Sequence, residues 1–252
     1  MSPFLWLVQM SFKTPRQIFT IPPDFIFIPT FQNYLDLFQE SSFVRYFSNS
    51  FIASTSATIL SLLIGVPAAY ALSRTAMKAE KTIALWILTS RMAPPIAFAI
   101  PFFMMYRNLG LIDTRIGLII IYLTFNLSLV IWMMRTFFDG IPRALEEAAY
   151  IDGAGMLETF LRITLPLTGP GIATTAIFCF LFSWNDFFYS LILTRSEAMT
   201  APVAIVNFMN YEGWEWGKIT AGSVVIMLPV IIFSLLVRKY LIRGLTAGAL
   251  KN

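Results

Sequence analysis

The residues best placed to do chemistry sit in one short stretch, Ile141 to Gly155. It carries Glu146, Glu147 and Asp152, followed by Gly153 and Ala154. A helical register places Leu145, Ala148, Ala149 and Asp152 together, a face built mostly of small side chains. The two glutamates fall near the start, where the helix dipole favours negative charge, and Pro142 suits a first turn. Gly153 and Gly155 let the chain stop and reverse. Phe160, Ile163 and Leu165 then resume an apolar pattern, and Pro166 opens the next long segment. The reading is two short helices with a glycine joint. Such an element is either a surface for close approach of another protein or an amphipathic loop at the lipid headgroups.

Two further ionisable groups lie deep in apolar runs, Asp186 and Arg91. Charges inside a membrane are costly and usually face a protein interior or a water-filled cavity. Asp186, with Asn185 and Trp184, is therefore a candidate for lining a translocation path. Alternatively, it sits near a helix end and reaches water. Arg91 with Pro94 and Pro95 is a second candidate, because prolines must kink or break a helix and broken helices are tolerated where they line a cavity. Catalysis has little to work with. The chain contains no histidine and a single cysteine, Cys179, in an apolar run. No nucleophile–base pair, metal cluster or internal disulfide is expected. No GxxxxGK[ST] loop is present, so ATP is not expected to bind here.

These residues must be positioned by membrane helices. The 252-residue chain is 57% hydrophobic and 13% charged, with mean hydropathy +0.71. A soluble core of this size could not hide so much apolar surface, whereas lipid can cover it. Five segments reach the roughly 20 apolar residues a spanning helix needs: about 49–72, 83–106, 116–138, 167–193 and 219–241. The apolar stretch Pro3–Met10 is too short to span. It reads as the remnant of a first helix or as an interfacial segment. The predicted class is an all-α membrane protein, a polytopic bundle in a single domain over 1–252, with the candidate loop at 139–166.

Orientation follows from Lys/Arg bias. One side holds ten such residues, among them Arg74, Lys78, Arg143, Arg162 and Lys251; the other holds seven, including Arg45, Arg115 and Arg195. The first side, with the 139–166 loop, is assigned to the cytoplasm. The outward segment 194–218 carries Phe208, Tyr211, Trp214 and Trp216, read as an interfacial belt or as a surface for a partner. Gly65 and Pro67 mark an irregularity or a close helix contact. The net charge of +4 is spread out, and no basic stripe points to nucleic acid.

One spacing is specific. Glu147-Ala148-Ala149, three residues, Gly153, nine residues, Ile163, one residue and Leu165-Pro166 resemble the EAA signature of binding-protein-dependent ABC importer permeases. Trp184-Asn185-Asp186-Phe187, Arg91-Met92 with Pro94-Pro95, Gly110-Leu111 with Asp113-Thr114, and the Gly244–Lys251 tail resemble its carbohydrate type, the MalG-like branch. The departure is at the start, where that branch has a full first span. The resemblance implies a multi-pass subunit of a bacterial inner membrane, paired with a second, MalF-like permease. Two ATP-binding subunits would carry ATP and Mg below, and an extracytoplasmic solute-binding protein would dock above. It implies that residues 143–155 form the coupling helix, with Leu145, Glu146, Glu147, Ala148, Ala149, Asp152, Gly153 and Ala154 meeting the ATPase.

The expected function is ATP-driven import of a sugar or sugar-like solute. The few charges along the spans favour a neutral saccharide, polyol or glycoside; Arg91 or the partner permease would serve an anionic derivative. The rival reading is an ion- or proton-coupled carrier, which would want more acids, histidines or internal symmetry in the membrane.

Overall fold

Apolar helix-forming runs punctuated by proline and glycine set the architecture, with non-helical stretches at 19–31 and 194–200. A computed structural model describes residues 3–39, 41–75, 80–210 and 213–249; Lys78, Tyr211, Leu250 and Lys251 lie outside the described residues. The chain runs through α1 (Pro3–Ser11), α2 (Pro15–Ile18), α3 (Gln32–Gln39), α4 (Phe43–Arg74), α5 (Glu80–Ser90) and α6 (Ala99–Asn108). It continues through α7 (Arg115–Asp139), α8 (Arg143–Ile151), α9 (Met156–Thr159), a π turn (Phe160–Thr164), α10 (Leu165–Leu167) and α11 (Gly169–Trp184). Then come α12 (Phe188–Leu193), α13 (Ala201–Ala204) and α14 (Trp216–Ala249), with a two-residue β pairing of Met209–Asn210 against Gly213–Trp214 just before α14.

Among the described residues, three helices are long and apolar enough to cross a bilayer: α4, α7 and Trp216–Leu236 of α14. Met156–Leu167 and Gly169–Trp184, bent by 76°, make a fourth if the pair is one span. Two of the five expected segments are not continuous helices. The 83–106 segment stops at Ser90 and resumes as a 3₁₀ turn, Pro95–Phe98, and α6. Pro94 and Pro95 lack the N–H that would continue the ladder, and a residue before proline is pushed out of the α region; Pro94 duly has φ −66° and ψ 127°. The 167–193 segment breaks between Trp184 and Phe188. Its main piece, α11, has 16 residues, roughly 24 Å and short of a bilayer core by itself. The N-terminal helix α1 has nine residues and is likewise too short to span.

The chain divides into two compact units that interleave in sequence: Met1–Ala53, Phe103–Leu118 and Asn185–Ile232 form one, and the remainder forms the other. The first has a core of Leu37, Phe43, Ala201, Phe208, Ile219 and Ala221. Its polar ties are specific. Asp113 accepts backbone N–H bonds from Arg195, Ser196, Glu197 and Ala198 at 2.9–3.1 Å. Asn49 donates to the carbonyls of Glu197 and Met199 and accepts from Arg115 Nε at 2.7 Å. Lys13, 2% exposed, donates to the Asp24 carbonyl at 2.7 Å and lies over the rings of Trp6 and Phe27.

The second unit packs Val66, Tyr70, Val130, Met134, Phe138, Phe160 and the free thiol of Cys179. Helices α4 and α7 come close because Gly65 has no side chain: a Cβ there would stand 2.7 Å from Val130 Cγ1. Close packing accounts for this glycine, and α4 runs on through Pro67 as one helix.

Candidate functional site

Helix α8 starts at Arg143 directly after Pro142 and ends at Ile151, with Asp152 as its cap. Gly153 has φ +86°, a conformation glycine adopts without strain. There the N–H groups of Gly153 and Ala154 bond back to Tyr150 and Ala149 at 3.1 and 2.9 Å, closing the helix and turning the chain into α9. The sequence reading of two short helices on a glycine joint matches this geometry.

The two sides of α8 differ sharply. Leu145, Ala148 and Asp152 are exposed, as are Glu147 and Ile151, the last to 87%. Leu145, Ala148, Ala149 and Asp152 share a hollow of about 450 Å³ with Ala154, Glu158, Arg162 and Ile163 from the return limb. Small side chains on one helix face and a salt-bridged Glu158–Arg162 pair on the facing limb line this open recess. Gly153 is exposed, and a Cβ there would meet nothing within 4 Å. The need for glycine is therefore conformational.

The opposite side of α8 is closed. Glu146 is 4% exposed. Its carboxylate accepts Arg74 Nε at 2.9 Å on both oxygens and Thr164 Oγ1 at 2.9 Å. Arg74 Nη2 donates to the carbonyls of Phe138 and Ile141 at 2.9 and 3.2 Å. Arg143 reaches the Ser73 carbonyl at 3.3 Å, and Ser73 donates to Asp139. Sequence grouped Glu146 and Ala149 with the exposed docking residues; the structure turns both inward, because one residue along a helix is a rotation of about 100°. Arg74 escaped notice as its partner, since charge count alone placed it among loop cations. Its signal was a lone base ending an apolar run opposite two acids.

The path candidates do not form one group. Arg91 follows α5 and stacks on Phe182, with Cζ 4.7 Å from the ring centroid. Pro94 and Pro95 are exposed at the helix break. Trp184 is 1% exposed and stacked on Phe180 at 5.5 Å, so its ring serves packing. Asp186 accepts the N–H groups of Tyr189 and Ser190 at 3.4 and 3.0 Å. It thus receives backbone donors freed where α12 begins, and Asn185 lies in the same break. Among the described residues there is no cluster of His, Cys, Asp or Glu that could hold a metal ion. Trp214 and Trp216 pack ring to ring at 5.0 Å, Trp214 half exposed.

Sequence reasoning also passed over what Asp113 does. It sits at φ +56°, and its carboxyl collects four backbone donors. Burial alone would raise its pKa; the N–H bonds from Ala198, Arg195, Glu197 and Ser196 outweigh that and bring it to about 2.

Residues 61–246, which include both limbs of the elbow, match the family described as "Binding-protein-dependent transport system inner membrane component". The trehalose transport system permease protein SugB of Mycobacterium tuberculosis is 38% identical, over 99% of this chain and 92% of its own. The trehalose/maltose transport system permease protein MalG of Thermococcus litoralis is 34% identical, over 99% and 91%. Among solved structures, a chain of a bacterial ABC transporter that imports the acidic polysaccharide alginate superposes with a TM-score of 0.77 at 27% identity, covering 94% of this chain and 89% of that one.

Proposed function

The chain belongs to the family of binding-protein-dependent transport system inner membrane components, and from that premise we propose how its elbow drives transport. The protein is a permease subunit of an ATP-driven importer in the inner membrane, and hydrolysis of ATP belongs to partner subunits. On our reading, α8 is the coupling helix. The ATPase would seat against Leu145, Glu147, Ala148, Asp152, Gly153 and Ala154, on the side opposite the Arg74 clamp. ATP and Mg would stay in that partner, and this chain would bind no cofactor. Closure of the two ATPase subunits would push the elbow and switch the cavity between inward and outward access.

The wider assembly is part of the same proposal. A second, MalF-like permease would complete the channel, and an extracytoplasmic binding protein would deliver solute on the side of Trp214 and Trp216. The chain would act as one membrane domain. It would cross the bilayer five times, with the broken segments 83–106 and 167–193 completing crossings that α4, α7 and α14 make as single helices. The elbow would lie in the cytoplasm. The solute would be a sugar or sugar-like molecule, as the names of SugB and MalG indicate for those relatives. Arg91, half-buried at a helix break, would lie on its path.

The observation that carries this reading is the exposed, glycine-jointed α8 with its small-residue face, inside a stretch that matches the family. A proton-coupled carrier is less well served: Asp186, the deep acid it would need, is engaged with backbone donors of α12. The test is Gly153→Val, which a left-handed backbone disfavours. Let equilibrium binding to the cognate binding protein identify the saccharide used. Uptake of that saccharide should fall by about tenfold or more, while the subunit still reaches the membrane in normal amount. Uptake near the wild-type rate would refute the coupling role.

A further inference from the structure

We propose that Arg74 and Glu146 form a strut that passes displacement of the α8–α9 elbow to α4. The inference rests on the coupling reading above and adds the inner half of the lever. A docked motor can only push; something must fix the pushed helix to the part that is to move. On the exposed side of α8, Ala148 and Ile151 offer no directional bond. The buried side does. Glu146, in the first turn of α8, takes both of its oxygens to Arg74 Nε at 2.9 Å. Arg74 is the last residue of α4, a helix of 32 residues.

The pair also gathers its neighbours. Thr164 in the π turn donates to Glu146, so the return limb is held by the same carboxylate. Arg74 bonds the carbonyls of Phe138 and Ile141 at the end of α7 and just beyond it. Four segments therefore meet at one guanidinium–carboxylate contact with side chains 9% and 5% exposed. The Arg74 guanidinium, its Nε–H shared by both Glu146 oxygens and its Nη2 on two carbonyls, fixes distance and direction through charge-assisted hydrogen bonds. A buried ion pair is a poor device for stability, because apolar replacements often serve as well; it is a good device for rigid registration.

The test uses the full complex with spin labels at Thr75→Cys, just past α4, and Leu157→Cys in α9, both exposed positions; Cys179 is buried. The label-to-label distance is measured with and without ATP and vanadate. The strut predicts a narrow distance that does not change when nucleotide is trapped. Arg74→Ala should retain the ATPase subunits and basal hydrolysis, yet broaden the distribution and let it shift by about 2 Å on trapping. Should Arg74→Ala fail to assemble, the pair Arg74→Met with Glu146→Met leaves no charge unpaired, and the same broadening is expected of it.

A distance that shifts in the parent complex overturns the strut. So does a distance that stays narrow and fixed in the paired Met chain, because packing alone would then hold the elbow. Loss of the ATPase subunits from Arg74→Ala alone, with the paired Met chain still narrow, would likewise make the pair a matter of folding. Failure of the underlying reading shows elsewhere: if Gly153→Val transports normally, α8 is no coupling helix, whatever the labels report.

Discussion

Glu146 and Glu147 are adjacent and chemically identical, yet one is buried on Arg74 and the other faces outward. Sequence shows both acids at the head of a helix, but not which faces inward. That depends on where α4 ends, a contact made across 72 residues of chain. Asp113 teaches the same lesson. Its four N–H donors lie 82 to 85 residues away, so no local pattern announces them. Its depressed pKa has a consequence for stability. The carboxylate's contribution is present above its ordinary pKa of 3.8 and is lost as pH falls through about 2. Asp113→Asn tolerates the left-handed backbone but gives up the charged acceptor. At pH 7 its melting temperature should fall by several degrees, for a loss of roughly 1–3 kcal/mol. Near pH 2.5 the gap to the wild type should narrow. A gap that widens on acidification would contradict the assignment.

Elements were legible in proportion to how regular they are. Arg115–Asp139 read from composition almost to its ends, and Phe43–Arg74 all but its first six residues, because an uninterrupted apolar run can only be a helix in lipid. Breaks were harder. Pro94 and Pro95 announced one, although the reading still carried a single span through it. Nothing in Trp184-Asn185-Asp186-Phe187 announced the other: no proline or glycine stands there, and the break is recognised only by Asp186 taking up the N–H groups it frees. Gly65 was ambiguous between an irregular helix and a tight contact, and the answer lay in Val130 on α7. At this scale Gly65→Leu should force α4 and α7 apart. The overpacking should cost about 1–3 kcal/mol, and thermal unfolding in detergent should move down by several degrees. An unchanged transition would mean that the two helices have room to spare.

For the whole molecule, the family was the most legible feature, because it hangs on a spacing that runs through Glu147, Gly153 and Pro166 and needs no contact map. Path residues were the least legible. Arg91 stacks on Phe182, Trp184 is packed away and Asp186 is engaged with backbone. Depth in a membrane and orientation toward a partner are collective properties that one chain's sequence does not encode. Coupling requires that the elbow's open side meet a motor. A photo-crosslinker attached to Ala148→Cys in membranes containing the full complex tests this most directly. It should join this chain to an ATPase subunit in high yield, and a label at Trp132, an exposed residue of α7, should not. Adducts only with lipid from Ala148, with the ATPase untouched, would contradict the account.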